Sequence, residues 1–381
     1  STFRCAGRPR CIDSPSAGTQ NGVADFESLF CNNNGRPQIS DLGTPKTSAR
    51  ICSSISPTTM SKHTLAFGLA SVLVCSATAV AENWPRFRGP TGQSHSSETG
   101  LPLRWSNEEN VIWKTPIPGQ GWSSPIVYDD HVFLTSTTND GKSCHVIAVD
   151  RDSGEVLWNN KVFDQEVRRA RPENLYATPT PVTDGELVYA VFGSGGIVAL
   201  DYSGTVVWSN HDVQHYSEHG LAASPILYKD LLSQLYDGSS SEDRNVGFQV
   251  PWDRALILAV DKKTGEERWR GGRESSRLGH VTPIIAEVNG SDQLISNTGD
   301  VIQGHDPNSG RLIWTVRSPG EGIAPSNAVG NGLVYTVSGS AGSRIRVARV
   351  DGEGDVTDTH IAWEQTKGVP NLASFLLVGP R

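Results

Sequence analysis

DRDSGEVLW, Asp150 to Trp158, decides the reading of this chain, because it returns as DYSGTVVW (Asp201 to Trp208), DKKTGEERW (Asp261 to Trp269) and DPNSGRLIW (Asp306 to Trp314). In all four the Gly stands four residues before the Trp. A looser fifth copy runs from Asp351 to Trp363 with a longer turn and no such Gly spacing. The pattern has a direct chemical reading. Asp and Ser/Thr side chains hydrogen-bond a turn backbone, Gly supplies positive φ, and the strand that follows carries Trp at a fixed offset. A large flat ring at the same place in every unit can wedge between neighbouring sheets.

Working outward, each copy is preceded by a small residue and Pro entering an apolar strand: SSPIVY at Ser123, TPTPVT at Thr178, ASPILY at Ala223 and VTPIIA at Val281, with APSNAV at Ala324 as the variant. Between the two elements lie β-rich runs such as VFLTS (Val132 to Ser136), LVYAVF (Leu187 to Phe192) and LVYTVS (Leu333 to Ser338). The unit is therefore four short strands joined by Gly-containing turns. Trp113, Trp158, Trp208, Trp269, Trp314 and Trp363 are separated by 45, 50, 61, 45 and 49 residues, the size of a propeller blade. A solenoid would show a shorter and more regular period.

The four-strand unit predicts an all-β propeller of about five complete blades. Asn110 to Lys114 (NVIWK) reads as a lone outer strand. Leu372 to Val378 (LASFLLV) reads as the opening strand of a sixth blade, so the sequence suggests a propeller truncated at its C-terminus.

The Asp-x2/3-[Ser/Thr]-Gly-x3-Trp copies resemble the tryptophan-docking repeats of the PQQ quinoprotein superfamily. NWPRFRGPTGQS (Asn83 to Ser94) is similar to the start of exported bacterial PQQ-like propeller proteins. The resemblance covers about residues 83 to 381. It implies a fold that is typically eight-bladed and two kinds of function. One branch holds the quinoprotein alcohol dehydrogenases, which bind PQQ and calcium. The other holds the propeller lipoprotein of the outer-membrane β-barrel assembly machine, which binds partners and catalyses nothing. The repeat itself does not choose between them.

The chain upstream of the repeat reads as an export region. Met60 is the only Met; Lys62 and His63 give a basic start, Leu65 to Cys75 an apolar run too short to span a bilayer, and Ala79-Val80-Ala81 a small-residue cleavage site. This divides the chain into a segment 1–59 read as spurious or disordered, a signal peptide 60–81 and a propeller 82–381. The mature part is expected in the periplasm or cell envelope, with no transmembrane span after signal removal. Cys75 follows a Val, a poor fit to a lipid anchor. Cys5, Cys11, Cys31, Cys52 and Cys75 all precede Glu82, so Cys144 is alone and the propeller must be held by its core. The whole chain has a formal net charge of −8, which argues against nucleic acid as a partner.

No stretch carries a complete catalytic motif. There is no P-loop, H-E-x-x-H, G-x-S-x-G or adjacent Cys pair. No Glu/Asn/Asp calcium set is assignable, so no cofactor is expected, with PQQ and calcium reserved for the dehydrogenase alternative. The repeat Trp residues are read as docking rather than cofactor-stacking groups. Gly193 to Gly196 reads as a hairpin. His211, His215 and His219 have the spacing of zinc ligands on a helix, but the surrounding connector ends in Gly220 and leads into a strand. DGSSSEDRNVG (Asp237 to Gly247) reads as a solvated insertion. The connectors between blades share one face. There Arg168, Arg169, Arg171, His215, His219, Arg273, Arg277 and His280 suggest a basic mouth for an anionic ligand or an acidic partner segment, unless Glu166, Glu173 and Glu274 pair with them. The sequence thus favours a non-catalytic scaffold over a PQQ-dependent sugar or alcohol dehydrogenase.

Overall fold

The computed structural model describes residues 81–167, 174–217, 219–320, 323–338 and 343–379. Five four-stranded antiparallel blades follow one another along the chain. Blade 1 is β1 (Ile126–Tyr128), β2 (His131–Thr138), β3 (Ser143–Asp150) and β4 (Val156–Asp164). Blade 2 is β5 (Val182–Thr183), β6 (Leu187–Val191), β7 (Ile197–Asp201) and β8 (Val206–Asn210). Blade 3 is β9 (Ile226–Tyr228), β10 (Leu231–Tyr236), β11 (Leu256–Asp261) and β12 (Glu267–Gly272). Blade 4 is β13 (Ile284–Val288), β14 (Ser291–Asn297), β15 (Val301–His305) and β16 (Leu312–Arg317). Blade 5 has β17 (Ala328–Gly330), β18 (Leu333–Ser338) and β19 (Arg344–Arg349). The short β20 (Gly354–Asp355) and a single turn α1 (Thr357–His360) come before its outer strand β21 (Ile361–Gln365). The all-β propeller of the repeat is what the structure shows.

The blades stack through both faces, which explains why their middle strands lack polar alternation. On β6, Val188 and Ala190 join a core with Phe133, Val146 and Ala148 of blade 1. Tyr189 and Val191, one residue out of phase, join Leu232, Leu258 and Val260 of blade 3. Ile257 and Trp269 meet Leu294 of blade 4, and Ile295, Ile302 and Trp314 meet Val334 and Ala348 of blade 5. Burying apolar area at about 25 cal/mol per Å² along every such seam holds the stack without a disulfide. Cys144 lies inside the first seam, and burial pushes its thiol pKa well up, so it behaves as a small hydrophobe.

The repeated turn has the chemistry that its residues suggest. Asp150 Oδ1 accepts from the amides of Asp152 (3.2 Å) and Ser153 (2.7 Å) and from the Ser153 hydroxyl (2.6 Å), while Gly154 sits at φ +75°. Asp201, Asp261 and Asp306 repeat the arrangement with Ser203, Lys263 and Asn308. The indole of one blade then covers the turn of the next. Trp113 lies on Gly154, Trp158 on Gly204, Trp208 on Gly265 and Trp269 on Gly310, each at a distance where a Cβ would collide with the ring. Nε1 of Trp113, Trp158 and Trp208 donates to the carbonyls of Arg151, Tyr202 and Lys262 at 2.8, 3.0 and 3.0 Å.

Trp314 and Trp363 are placed differently. Trp314 is fully buried, packs over Gly304 of its own blade and donates to Gln293 Oε1 (2.8 Å). The fifth copy has no Gly in register to receive it. Instead β20 adds to β16 as a parallel fifth strand, pairing Gly354 with Trp314. Trp363 is 46% exposed and faces Val347 across the ladder, where Trp158, Trp208 and Trp269 face Ala148, Ala199 and Ala259.

A second seam runs along the inner strands. The amide of Ser124 donates to the Thr180 hydroxyl (3.0 Å), Thr180 to Ser224 (3.0 Å), Ser224 to Thr282 (2.9 Å) and Ser326 to Ser374 (2.9 Å). Thr180, Ser224 and Thr282 each stand before the Pro that opens an inner strand, so the small residue before Pro is a blade-to-blade link. Asn110–Lys114 and Leu372–Val378 form no ladder, unlike the strands expected there; the first is held by Trp113 and the second by Ser374 and by Leu377 against Gly330. Residues 84–95 lie along the inner strands: Trp84 pairs with Val127, Thr183 donates to Pro85 O (3.0 Å), and Val329 donates to Gln93 Oε1 (2.8 Å). The expected upstream segment and signal peptide, up to residue 80, lie outside the described residues.

Candidate functional site

In each blade the connection between its second and third strands and the connector to the next blade emerge on the same face. On blade 3 this face is built up. The connection from β10 to β11 spans 237–255, where its counterparts span 139–142, 192–196 and 298–300. Its tip, 241–245, is exposed as its composition suggests, while Ser239, Gly247 and Trp252 tie it to the neighbouring connectors. Ser239 N donates to Tyr216 O (2.9 Å) in the connector before blade 3. Trp252 and Ser276 exchange amide bonds of 2.9 and 3.0 Å, and Leu278 N donates to Gly247 O (2.6 Å), both in the connector after it. Phe248 packs edge-on against His219 (4.9 Å between ring centres). Three chain segments thus brace one another over the end of blade 3.

Beneath them is a polar cluster. Arg273 is fully buried, donating Nε to Asp237 Oδ1 (3.0 Å) and Nη2 to Asp237 Oδ2 (3.3 Å), with Nη1 on the Ser296 hydroxyl. Arg277 holds Asp300 through Nη2 to Oδ1 (2.6 Å) and Nε to Oδ2 (3.0 Å). Glu274 accepts from Arg317 Nη2 (3.0 Å) and the Thr315 hydroxyl (2.8 Å). His219 and His280 stand with ring centres 6.2 Å apart, and His215 packs on Tyr236 at 5.8 Å. Burial, reinforced by the neighbouring His280, pulls the His215 pKa down to about 3. Burial, reinforced by His219, pulls that of His280 down to about 4. Both rings are neutral at physiological pH.

The structure therefore brings His215, His219, Arg273, Arg277 and His280 to one face. It pairs both arginines with carboxylates and leaves the two buried histidines uncharged. Arg168, Arg169 and Arg171 lie outside the described residues. The His211/His215/His219 spacing does not make a helix: the described residues of the connector are not helical, and His211 packs on Phe163 (4.7 Å) while the other two face different rings. Among the described residues no three His, Cys, Asp or Glu side chains converge on one point.

Described residues of this face line two hollows, among others. One, of about 140 Å³, is lined by Asp164, Gln165, Glu166, Ser194, Gly196, His211, Val213, Gln214 and His215. The other, of about 420 Å³, lies beside the insertion between Gln214, Tyr216, Ser239, Ser240, Ser241, Glu242, Trp252, Asp253 and Arg254. Sequence reasoning missed the second. Its one signal was Trp252, a Trp that stands outside the repeat frame.

A family model described as outer membrane protein assembly factor BamB matches residues 104–232 and 253–379 of this chain, on either side of the insertion. The chain belongs to that family. This BamB-family chain is also 25% identical over 228 residues to the quinoprotein ethanol dehydrogenase of Pseudomonas putida, which covers 55% of the chain and 32% of that protein. It is 26% identical over 230 residues to the 1-butanol dehydrogenase (quinone) of Thauera butanivorans, covering 56% and 32%. The match spans about a third of the length of these curated relatives. Among solved structures, the quinohemoprotein alcohol dehydrogenase from Comamonas testosteroni is 14% identical with a TM-score of 0.46, covering 72% of this chain and 47% of that one. No helix among the described residues is long and apolar enough to cross a membrane.

The two curated relatives, quinone-dependent dehydrogenases by name, raise the question of PQQ and calcium. Calcium needs several oxygen ligands and a quinone tricarboxylate needs available cations. Asp237, Glu274 and Asp300 are each bound by an arginine, and Arg273, Arg277 and Arg317 are in turn taken up by those carboxylates. As arranged, these residues do not fit the pair.

Proposed function

We propose that this BamB-family chain is a non-catalytic propeller of the cell envelope that binds a partner on its connector face. The observation that carries the reading is the bracing of 211–222, 237–255 and 273–282 by backbone hydrogen bonds, which gives a recognition surface fixed before any ligand arrives. The ion pairs under it serve the scaffold rather than a reacting group. Arg273 and Arg277 are committed to Asp237 and Asp300, so an anionic ligand or acidic segment would not rely on them. Export by the segment 60–81 accords with this placement, with 82–381 as the working propeller and 1–59 outside it.

A second reading is a quinone-dependent alcohol or sugar dehydrogenase. It is favoured by the two curated relatives, both quinone-dependent dehydrogenases by name. Titration with PQQ and calcium, followed by Trp fluorescence and dye-linked oxidation of alcohols and sugars, separates the two. The expected outcome is neither saturable quenching nor substrate-dependent dye reduction at micromolar cofactor; the appearance of both would establish the enzyme.

A further inference from the structure

We propose that the hollow beside the blade 3 insertion is a binding site for a neutral mono- or disaccharide. The inference deepens the binding role proposed above and rests on it. At about 420 Å³ the hollow falls within the roughly 300–1,000 Å³ of small-molecule sites. Its lining has the composition that a polyhydroxylated ring selects. Tyr216 and Trp252, both half-buried, offer ring surface for the apolar C–H faces of a sugar. Ser240, Glu242, Asp253 and Arg254 offer hydroxyl, carboxylate and guanidinium partners for its hydroxyl groups.

The site is held open without a ligand. The backbone of Trp252 is paired with Ser276 and the carbonyl of Tyr216 with Ser239, so the two aromatic residues stand on separate, braced segments. Two carboxylates against one guanidinium make the hollow a poor host for an anion such as a uronate or PQQ, and select an uncharged ligand. The insertion that supplies most of the wall falls largely in 233–252, between the two stretches that the family model matches, so this is a feature added to the blade rather than a part of the repeat.

The test is calorimetric titration of the full chain with cellobiose, maltose and N,N′-diacetylchitobiose. At least one should bind saturably, with an affinity that barely changes between about 50 and about 500 mM salt, because the ligand is uncharged. Trp252→Ala should weaken that binding tenfold or more and Trp252→Phe by less. The backbone pairing with Ser276 is retained in both, and an unchanged melting temperature would show it. Three silent sugars, or binding that Trp252→Ala leaves intact, would overturn the saccharide site while leaving the non-catalytic reading to the cofactor titration. Oxidation of a bound sugar in the presence of PQQ would overturn the non-catalytic reading and leave the saccharide site standing.

Discussion

Trp158 donates its indole N–H to the carbonyl of Tyr202, 44 residues later, and lays its ring over Gly204. One contact thus ties the outer strand of blade 1 to the last turn of blade 2. Gly204 answers two demands, a φ of +87° and the absence of a Cβ under the ring.

Gly204→Ala should therefore cost about 2–4 kcal/mol, from left-handed backbone strain and overpacking together. Trp158→Ala should cost about 3–5 kcal/mol through the cavity it leaves. Urea denaturation of each variant and of the double variant checks both. The double variant should fall short of the sum, because the ring that clashes in one is absent in the other.

Ser224 both receives and continues the inner-strand link, accepting from Thr180 N and donating its own amide to Thr282. Ser224→Ala leaves the buried Thr180 amide without an acceptor, for an expected loss of about 1–3 kcal/mol. Ser224→Thr should be nearly neutral, since Thr fills the same place in blades 2 and 4. Thermal melts of the two variants side by side give the comparison.

The Arg273–Asp237 pair is buried on both sides. Asp237→Asn would leave the guanidinium without its counter-charge and should destabilise by about 3–5 kcal/mol. Replacing both, Arg273→Met with Asp237→Leu, should cost less than the single change. Chemical denaturation of the single and double variants would show whether that order holds.

His215, His280 and His305 all have folded-state pKa values below the ordinary 6.5, at about 3, 4 and 3, because burial penalises the cation. Above pH 6.5 folded and unfolded chains are both neutral at these sites, and stability is unaffected by them. As pH falls below 6.5 the unfolded chain takes up protons that the fold refuses. Unfolding free energy should then drop by up to roughly 1.4 kcal/mol per pH unit for each histidine until the folded values are reached. Melting temperatures between about pH 7 and 4.5 should fall accordingly, and His215→Gln should flatten the slope.

The blade repeat was legible because its parts are local. Asp, Gly and Trp act within one turn and the strand after it, and strands buried on both faces leave uninterrupted apolar runs such as LVYAVF. One further local signal went unread, the Ala two residues before Asp150, Asp201 and Asp261, which makes room for the indoles of Trp158, Trp208 and Trp269; the small residue before Pro was read as a strand entry but not as a link between blades. The mouth was legible only as an address. The sequence placed Arg273, Arg277 and His280 on one face, yet Asp237 and Asp300 occupy the two guanidinium groups, and burial, reinforced by His219, keeps His280 neutral.

By itself, then, the sequence determined the all-β blades, their number within this chain and the turn chemistry that spaces them, because those rest on contacts a few residues apart. Only the tertiary structure decided that Arg273 and Arg277 are ion-paired, that Trp314 packs within its own blade, and that the insertion borders a hollow with Tyr216 and Trp252 in its walls. Each of these depends on which distant groups share a low-dielectric space, and pairing energies there are set by distance and burial, which no local pattern encodes.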